Sequence, residues 1–178
     1  TMGDETTFFN ATTGGSMNVT YDPNAEKSVI FYYDGSSPYR GKAVVATIPA
    51  GTDPEPTFGS VAEVNNTGRS YFTDKSGAYD STTQKIVICY VDYSSSESGK
   101  CRVGTISGTS ISFGAETQFE GGNIGYGWHS CIYDPDANKI VVSYQRASSS
   151  YNGHVCVGTY NSTGNGQIDF GTPKTFSY

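Results

Sequence analysis

The sequence lacks leucine, long apolar runs and an excess of basic residues, and each shortage excludes a class of protein. Leucine is a strong helix former, and no window repeats apolar residues at the spacing of a helix, so we do not expect helices. No run of about 18 apolar residues occurs, and we therefore expect no membrane insertion. Only 11 Lys and Arg face 17 Asp and Glu, for a net charge of −6. A nucleic-acid binder would carry a basic stripe, so we expect no nucleic-acid partner.

What the chain does contain suits strands and tight turns, namely 22 Gly and 14 Tyr. One stretch is repeated: a Tyr-Asp pair, a short polar turn and an apolar strand that ends in Tyr. Its Asp residues are Asp22, Asp80 and Asp134, which recur roughly every 56 positions. A period of this length indicates a solenoid, a propeller or another array of repeats.

Each copy predicts four short strands, which we name A to D in chain order. Strand A ends at Tyr-Asp, strand B is the apolar stretch, a Ser- and Gly-rich loop leads to strand C, and strand D opens with Phe-Gly. The sequence thus predicts an all-β fold of antiparallel four-stranded blades, as in a β-propeller. The units span approximately 11–64, 65–119 and 120–178, with residues 1–10 as the D strand of a preceding unit. Three units leave exposed sheet ends, so we expect part of a larger or oligomeric ring.

The repeat also resembles a known group of proteins. The pattern Tyr-Asp, five residues, Ile-Val-Val, a Ser-rich loop, Val-Gly-Thr and Phe-Gly resembles the propeller-type repeats of structural and tail-associated proteins of marine bacteriophages, and of secreted bacterial surface proteins. The likeness is clear over 79–119 and 133–171 and weaker over 21–64. It implies a non-catalytic recognition or structural module of a virion or an extracellular fibre. A fold does not fix an activity, so the function has to be argued from a site.

The candidate binding site lies on the loops between strands D and A and between strands B and C, which share one face of a propeller. Between strands D and A these loops include 65–71 and 123–129, and between strands B and C they include 93–99 and 147–154. They hold the only Trp and both His residues of the chain. Aromatic rings stack on sugars, and Arg, His and Asn supply directed hydrogen bonds, so a glycan or cell-surface polysaccharide is the expected ligand. The predicted ligand-binding residues are Arg69, Tyr126, Trp128, His129, Tyr151 and His154. The alternative is that the aromatic residues fill gaps between blades.

Two other functions stay open: a self-assembling structural repeat whose partners are other copies of itself, and a sialidase-like or other glycoside-acting propeller fragment. Catalysis needs positioned acid, base or nucleophile groups. The candidate acids occur in unrelated loops, at Asp74, Asp92, Glu97 and Glu120. No pair of them is forced together, so we expect no enzyme and no cofactor.

The turn between strands A and B could suggest calcium in the copy 133–139, where Asp and Asn alternate. The turn is too short for a calcium loop of the EF-hand kind. Asp and Asn in such turns normally accept hydrogen bonds from their own backbone, so we predict a structural turn and no metal.

The four cysteines test the strand model. A hairpin that pairs Cys89 with Cys101 also sets Val87 opposite Val103, so a cross-strand disulfide is geometrically possible. Cys131 and Cys156 lie on strands A and C of one unit, too far apart to be bridged. We expect buried free thiols, with the Cys89–Cys101 disulfide as the alternative.

Overall fold

The computed structural model describes residues 5–8, 12–51, 54–73, 75–125, 128–147 and 150–176. In these residues the chain forms antiparallel β-sheet, which confirms the all-β prediction. The described residues include no helix that is long and apolar enough to cross a membrane. The strands are β1 Thr13–Asp22, β2 Lys27–Asp34, β3 Arg40–Thr47, β4 Thr57–Phe58, β5 Ala62–Tyr71, β6 Gly77–Asp80, β7 Lys85–Asp92, β8 Ser98–Ser107, β9 Ser110–Phe113, β10 Thr117–Glu120, β11 His129–Asp134, β12 Lys139–Arg146, β13 Asn152–Asn161, β14 Gln167–Phe170 and β15 Lys174–Thr175.

The three copies of the repeat form three similar units. Strands A, B and C are β1, β2 and β3 in unit 1, β6, β7 and β8 in unit 2, and β11, β12 and β13 in unit 3. Strand D is broken after its Phe-Gly pair into two segments that both pair with strand C of the same unit. Those segments are β4 and β5, β9 and β10, and β14 and β15.

The pairing predicted for the central hairpin is confirmed, because β7 and β8 set Cys89 opposite Cys101 and Val87 opposite Val103. The loop predicted over 65–71 is wrong. Strand β5 continues through that segment with a bulge between Asn65 and Arg69, pairing first with β3 and then, at Ser70 and Tyr71, with β7. Units 1 and 2 therefore share a ten-stranded sheet, and unit 3 forms a separate five-stranded sheet.

The core consists of two apolar layers, one at each junction between units. Strand β7 is buried on both faces because its side chains alternate between the layers. One set packs toward unit 1, and the other packs toward unit 3. The first set is Ile86, Ile88 and Tyr90, and the second is Val87, Cys89 and Val91.

The units pack face to face, with the three A strands side by side and each C strand beside the D strand of the next unit. The two sheets are open in the described residues, so the closed propeller stays a prediction. Of the strand predicted over residues 1–10, the structure describes 5–8, and these do not form a strand. The Phe8 ring instead packs on Tyr32 and Phe58 of unit 1.

The expectation of free thiols is wrong for the central hairpin, where Cys89 and Cys101 form a disulfide with an S–S distance of 2.10 Å. Both residues are fully buried in the layer between units 2 and 3. The prediction that Cys131 and Cys156 are not bridged is confirmed, since both are free and buried. Val142 of β12 lies between them and pairs with each.

The turns between strands A and B are held by their own Asp side chains, as predicted. In unit 3 the Asp134 carboxylate accepts hydrogen bonds from the backbone N–H groups of Asp136 and Ala137. Asp22 and Asp80 accept equivalent bonds in units 1 and 2. These carboxylates therefore serve the turn itself.

Candidate functional site

The structure distributes the predicted site residues over two places. Arg69 lies on β5, at the junction of units 1 and 2. Trp128 and His129 line a groove on unit 3, and Tyr151 and His154 lie at the start of β13. Tyr126 lies outside the described residues.

Arg69 is exposed and is surrounded by three tyrosine rings. Its guanidinium carbon lies 5.3 Å from the ring centre of Tyr39, 5.8 Å from that of Tyr71 and 5.0 Å from that of Tyr93. These distances are within the range of cation–π attraction. No carboxylate of the described residues forms an ion pair with Arg69. We call these four residues the arginine cluster.

A fourth tyrosine joins the rings beneath the cluster. Tyr33 is buried, stacks on Tyr71 at 5.7 Å between ring centres and meets Tyr39 edge-on at 6.5 Å. Burial raises the pKa of Tyr33, and the nearby charge of Arg69 offsets part of that rise. The rings come from both units, so the packing of the units fixes the position of the guanidinium group.

The junction between units 2 and 3 repeats two backbone hydrogen bonds of the first junction but lacks these side chains. At the first junction the N–H of Ser70 donates to the carbonyl oxygen of Tyr39, and the N–H of Tyr93 donates to that of Arg69. At the second junction the same two bonds run from Ile124 to Glu97 and from Ala147 to Asn123. Glu97, Asn123, Gly125 and Ala147 stand where the first junction has Tyr39, Arg69, Tyr71 and Tyr93. The junction therefore forms without an arginine cluster.

The groove on unit 3 has a volume of about 490 Å³ and is flanked by two exposed aromatic residues. The side chain of Trp128 is 60% exposed and that of Phe176 is 63% exposed. Gly153 and Gln145 lie in the groove between them, together with Ser143. The N–H of Phe176 donates to the carbonyl oxygen of Gly153, which fixes the end of the described chain on β13.

His129 is buried at the edge of this groove and is not available as a surface ligand. Its Nε2 lies 2.9 Å from Ser76 Oγ and 3.2 Å from the carbonyl oxygen of Cys89. A carbonyl only accepts, so Nε2 carries the proton. Burial lowers the pKa of His129 to about 4, against the smaller opposite effect of the bond to Cys89. His129 thus holds unit 3 on unit 2 as a neutral ring.

His154 is also buried, stacked on Tyr144 at 5.6 Å and next to Thr175, whose Oγ1 lies 3.3 Å from His154 Nδ1. Tyr151 is 61% exposed in the turn before β13. Of the five predicted residues that the structure describes, Arg69, Trp128 and Tyr151 therefore present their side chains to solvent.

Two of the four candidate acids, Asp92 and Glu120, are engaged in the fold. Asp92 accepts a hydrogen bond from Lys100, and Glu120 accepts bonds from Arg146 and Tyr144. Burial alone would raise the pKa of each carboxyl group, but these hydrogen bonds outweigh it and lower both pKa values. A general acid needs a raised pKa, which neither residue has. Asp74 lies outside the described residues.

Sequence reasoning missed Tyr93 and Phe176. Tyr93 was assigned to the Ser-rich loop, and only the pairing of β5 with β7 brings it to Arg69. Phe176 could have been found from the sequence, because it follows Phe170 by the same interval that separates Phe119 from Phe113.

No cluster of His, Cys, Asp and Glu in the described residues could hold a metal ion. Comparison with protein-family models, curated proteins and solved structures finds no match.

Proposed function

We propose that this chain is a non-catalytic recognition module that binds an acidic saccharide at the arginine cluster. The observation that carries the proposal is the contrast between the two junctions, which share two backbone hydrogen bonds and differ in the side chains at the same positions. Arg69 and its tyrosines are not needed to join two units, so a role in recognition accounts for them. Exposed polar and aromatic residues on a rigid scaffold are typical of binding sites.

The scaffold in this proposal is a propeller in which the units stack about an axis as blades. Two junctions of the same kind and three A strands side by side support that arrangement. In a propeller the arginine cluster would lie on one rim of the ring, where a ligand can reach it.

The chemistry of the cluster favours a sugar ring that carries a carboxylate. A guanidinium group offers paired N–H donors that match a carboxylate in two parallel hydrogen bonds. The exposed ring of Tyr39 lies beside those donors and offers flat apolar surface to the C–H face of a sugar. The net charge of −6 opposes a polyanion, so a saccharide with isolated carboxylates fits best.

The disulfide supports an extracellular or virion-borne setting, because disulfides persist in oxidising compartments and are rare in the cytosol. Such a setting is where a module for surface polysaccharides would work.

The test is a titration with two glycosides that differ only in the carboxylate, methyl β-glucuronide and methyl β-glucoside, followed by NMR of the backbone amides. We expect saturable shifts around Arg69 with the glucuronide and much weaker binding of the glucoside. The variant Arg69→Gln should weaken glucuronide binding by about tenfold or more, as expected when a charged hydrogen bond is lost.

The matched control is Lys85→Gln, which makes the same change of charge at the opposite end of β7 and should leave binding unchanged. Equal binding of the two glycosides, or equal binding by Arg69→Gln and the parent chain, would refute the acidic-saccharide site.

A second candidate site is the groove on unit 3, because Trp128 and Phe176 expose two aromatic rings around a cavity of suitable size. The same titration separates the two sites. Shifts at the Trp128 indole N–H that are lost in Trp128→Ala and kept in Arg69→Gln would assign the saccharide to the groove.

A further inference from the structure

The two outer sheet faces of the molecule are built from the same positions as the buried junctions. The outer face of unit 1, which we call the leading face, exposes Met17, Val19 and Tyr21 of β1. The outer face of unit 3, which we call the trailing face, exposes Ile132, Val157 and Phe176. Exposed apolar patches on a sheet indicate an interaction surface.

The trailing face repeats a row of residues that is buried in the other units. In each unit this row crosses strands A, B and C at the same register. The rows are Thr20, Val29 and Val45 in unit 1, Ala78, Val87 and Val103 in unit 2, and Ile132, Val141 and Val157 in unit 3. Units 2 and 3 cover the first two rows, and the third is open to solvent, with Ile132 57% and Val157 44% exposed.

The leading face repeats the opposite row. In each unit this row crosses all four strands at one register and faces the preceding unit. The rows are Tyr21, Ser28, Ala46 and Phe58 in unit 1, Tyr79, Ile86, Gly104 and Phe113 in unit 2, and Tyr133, Ile140, Gly158 and Phe170 in unit 3. Unit 1 therefore carries the surface with which units 2 and 3 dock on their neighbours.

The Phe-Gly glycines point to the same missing neighbour. A Cβ atom on Gly59 would lie 1.6 Å from the carbonyl oxygen of Thr109, in the turn between strands C and D of unit 2. A Cβ on Gly114 would lie 2.7 Å from the oxygen of Gly166 in the same turn of unit 3. The nearest atom to a Cβ on Gly171 is an oxygen of Val157 at 3.6 Å. Unit 3 thus keeps the glycine that makes room for a neighbouring turn, with the space still open.

Phe8 shows what the leading face accepts. Its ring lies 5.2 Å from Tyr32 and 5.6 Å from Phe58, measured between ring centres. At the second junction Phe119 of unit 2 lies 5.3 Å from Tyr144 and 5.9 Å from Phe170 of unit 3. Phe8 therefore occupies, on unit 1, the position that Phe119 of unit 2 occupies on unit 3. The residue of unit 3 that is equivalent to Phe119 is Phe176.

We propose that the trailing face of one copy of this chain docks on the leading face of a second copy, with Phe176 taking the place of Phe8. The row that contains Ile132 then covers the row that contains Tyr21, and the turn after β3 enters the space beside Gly171. This interface does not involve the arginine cluster and is independent of saccharide binding at that cluster.

Two copies account for the stoichiometry. A head-to-tail contact produces a ring when the rotation between units closes. Propellers typically have 4 to 8 blades, so two copies of these 178 residues, with three units each, fall within that range and three copies exceed it. The complex is therefore a closed dimer with two identical interfaces.

The dimer is weaker than the internal junctions. Ser143 and Gln145 stand on the trailing face where unit 2 has Cys89 and Val91, so part of the new interface is polar. Displacement of Phe8 also costs the contacts that it makes with Tyr32 and Phe58. The dimer should accordingly dissociate on dilution.

The test is sedimentation over a series of protein concentrations for the 178-residue chain and its variants. We expect a monomer–dimer equilibrium. Phe176→Ala and Gly171→Val should each raise the dissociation constant by about tenfold or more, and Phe8→Ala should lower it because the position on the leading face becomes free. Gly171→Val keeps the monomer intact because the space beside it is open.

The matched control is Tyr151→Ala, which removes an aromatic side chain as exposed as Phe176 from a loop outside the trailing face and should leave the dissociation constant unchanged. A mixture of Ile132→Asp and Val19→Asp should associate better than either variant alone, because one intact interface remains in the mixed dimer. A monomer at every concentration for both the parent chain and Phe8→Ala, or a dimer insensitive to Phe176→Ala and Gly171→Val, would overturn the proposal. Loss of saccharide binding in Arg69→Gln with an unchanged dimer keeps the two proposals separate.

Discussion

The row of unit 2 that faces unit 3 and the equivalent row of unit 3, Ile132, Val141 and Val157, have the same strand pairing. They differ in whether a neighbouring unit covers them. Ala78, Val87 and Val103 are buried between the two units, whereas the equivalent row of unit 3 faces solvent. Burial in this repeat is therefore set by the presence of a neighbouring unit, since the pattern of apolar residues is alike in both. The same comparison applies to Phe119 and Phe176 and to the Cys89–Cys101 pair and its equivalent in unit 3.

The largest expected difference comes from a charge placed in each row. Val87→Asp buries a carboxylate without a partner, which should lower the free energy of unfolding by more than about 4 kcal/mol. Val141→Asp makes the same change on the trailing face and should cost less than about 1 kcal/mol in the monomer. Urea unfolding at low protein concentration measures both. Similar losses in the two variants would contradict the comparison.

The two phenylalanines give the next largest difference. Phe119 is buried against Tyr144 and Phe170, so Phe119→Ala should lower the free energy of unfolding by about 3 to 4 kcal/mol. Phe176→Ala should change it by less than about 0.5 kcal/mol, because that ring is exposed in the monomer. Thermal unfolding of dilute samples separates these values, and equal destabilisation would show that Phe176 is part of the monomer core.

A third comparison is between the Cys89–Cys101 disulfide of unit 2 and the equivalent pair of residues in unit 3. Cys89 and Cys101 are 12 positions apart, and removing the bond in the double variant Cys89→Ala, Cys101→Ala should cost about 3 kcal/mol. Ser143 and Val155 are paired at the same register in unit 3. Cysteines at both positions should form the equivalent bond, which mass measurement with and without a reductant detects. For the parent chain, unfolding that is insensitive to the reductant would contradict the expected cost of removing the Cys89–Cys101 bond.

The smallest effect is a dependence of stability on pH that comes from His129 in unit 3. The equivalent position of unit 2 holds Lys75. The pKa of His129 is lowered from 6.5 to about 4 in the folded chain, so the unfolded chain takes up a proton first as the pH falls. The contribution of His129 to stability is therefore full above its pKa in the unfolded chain and is lost as the pH falls toward its pKa in the folded chain. The expected loss is about 2 kcal/mol between about pH 8 and pH 5.

His129→Gln should remove most of this slope in urea unfolding measured across the same range. His154 retains a smaller slope of the same sign, because burial lowers its pKa as well. Asp92 and Glu120 lose their contribution only below the ordinary pKa of a carboxyl group, about 4. An unchanged slope in His129→Gln would assign the pH dependence to other groups.

The repeat in the sequence was enough to predict strands A, B and C of each unit and the pairing in the central hairpin. The spacing of Val87 and Cys89 against Cys101 and Val103 fixed the register, because side chains alternate and a shift by one residue would turn them to the other face.

The arrangement around Arg69 could not be predicted in the same way. The segment 65–71 contains Asn, Gly and Ser, which favour a loop, yet it continues β5 because β3 and β7 both offer it edges to pair with. His129 and Trp128 are adjacent in the sequence, and only the packing of unit 3 on unit 2 buries one and exposes the other. Contacts between units depend on distant residues, which a local pattern does not contain.

Strand β5 belongs to units 1 and 2 at once, and this has a consequence for how the molecule opens. Its pairing with β7 joins the two units in one sheet, so we expect these two units to unfold together. Unit 3 is attached through side-chain packing, the His129 ring and a few backbone bonds, such as that from the Cys131 N–H to the carbonyl oxygen of Lys75. The amide protons of β11 to β15 should therefore exchange with solvent as a separate cooperative group, ahead of those in the first two units.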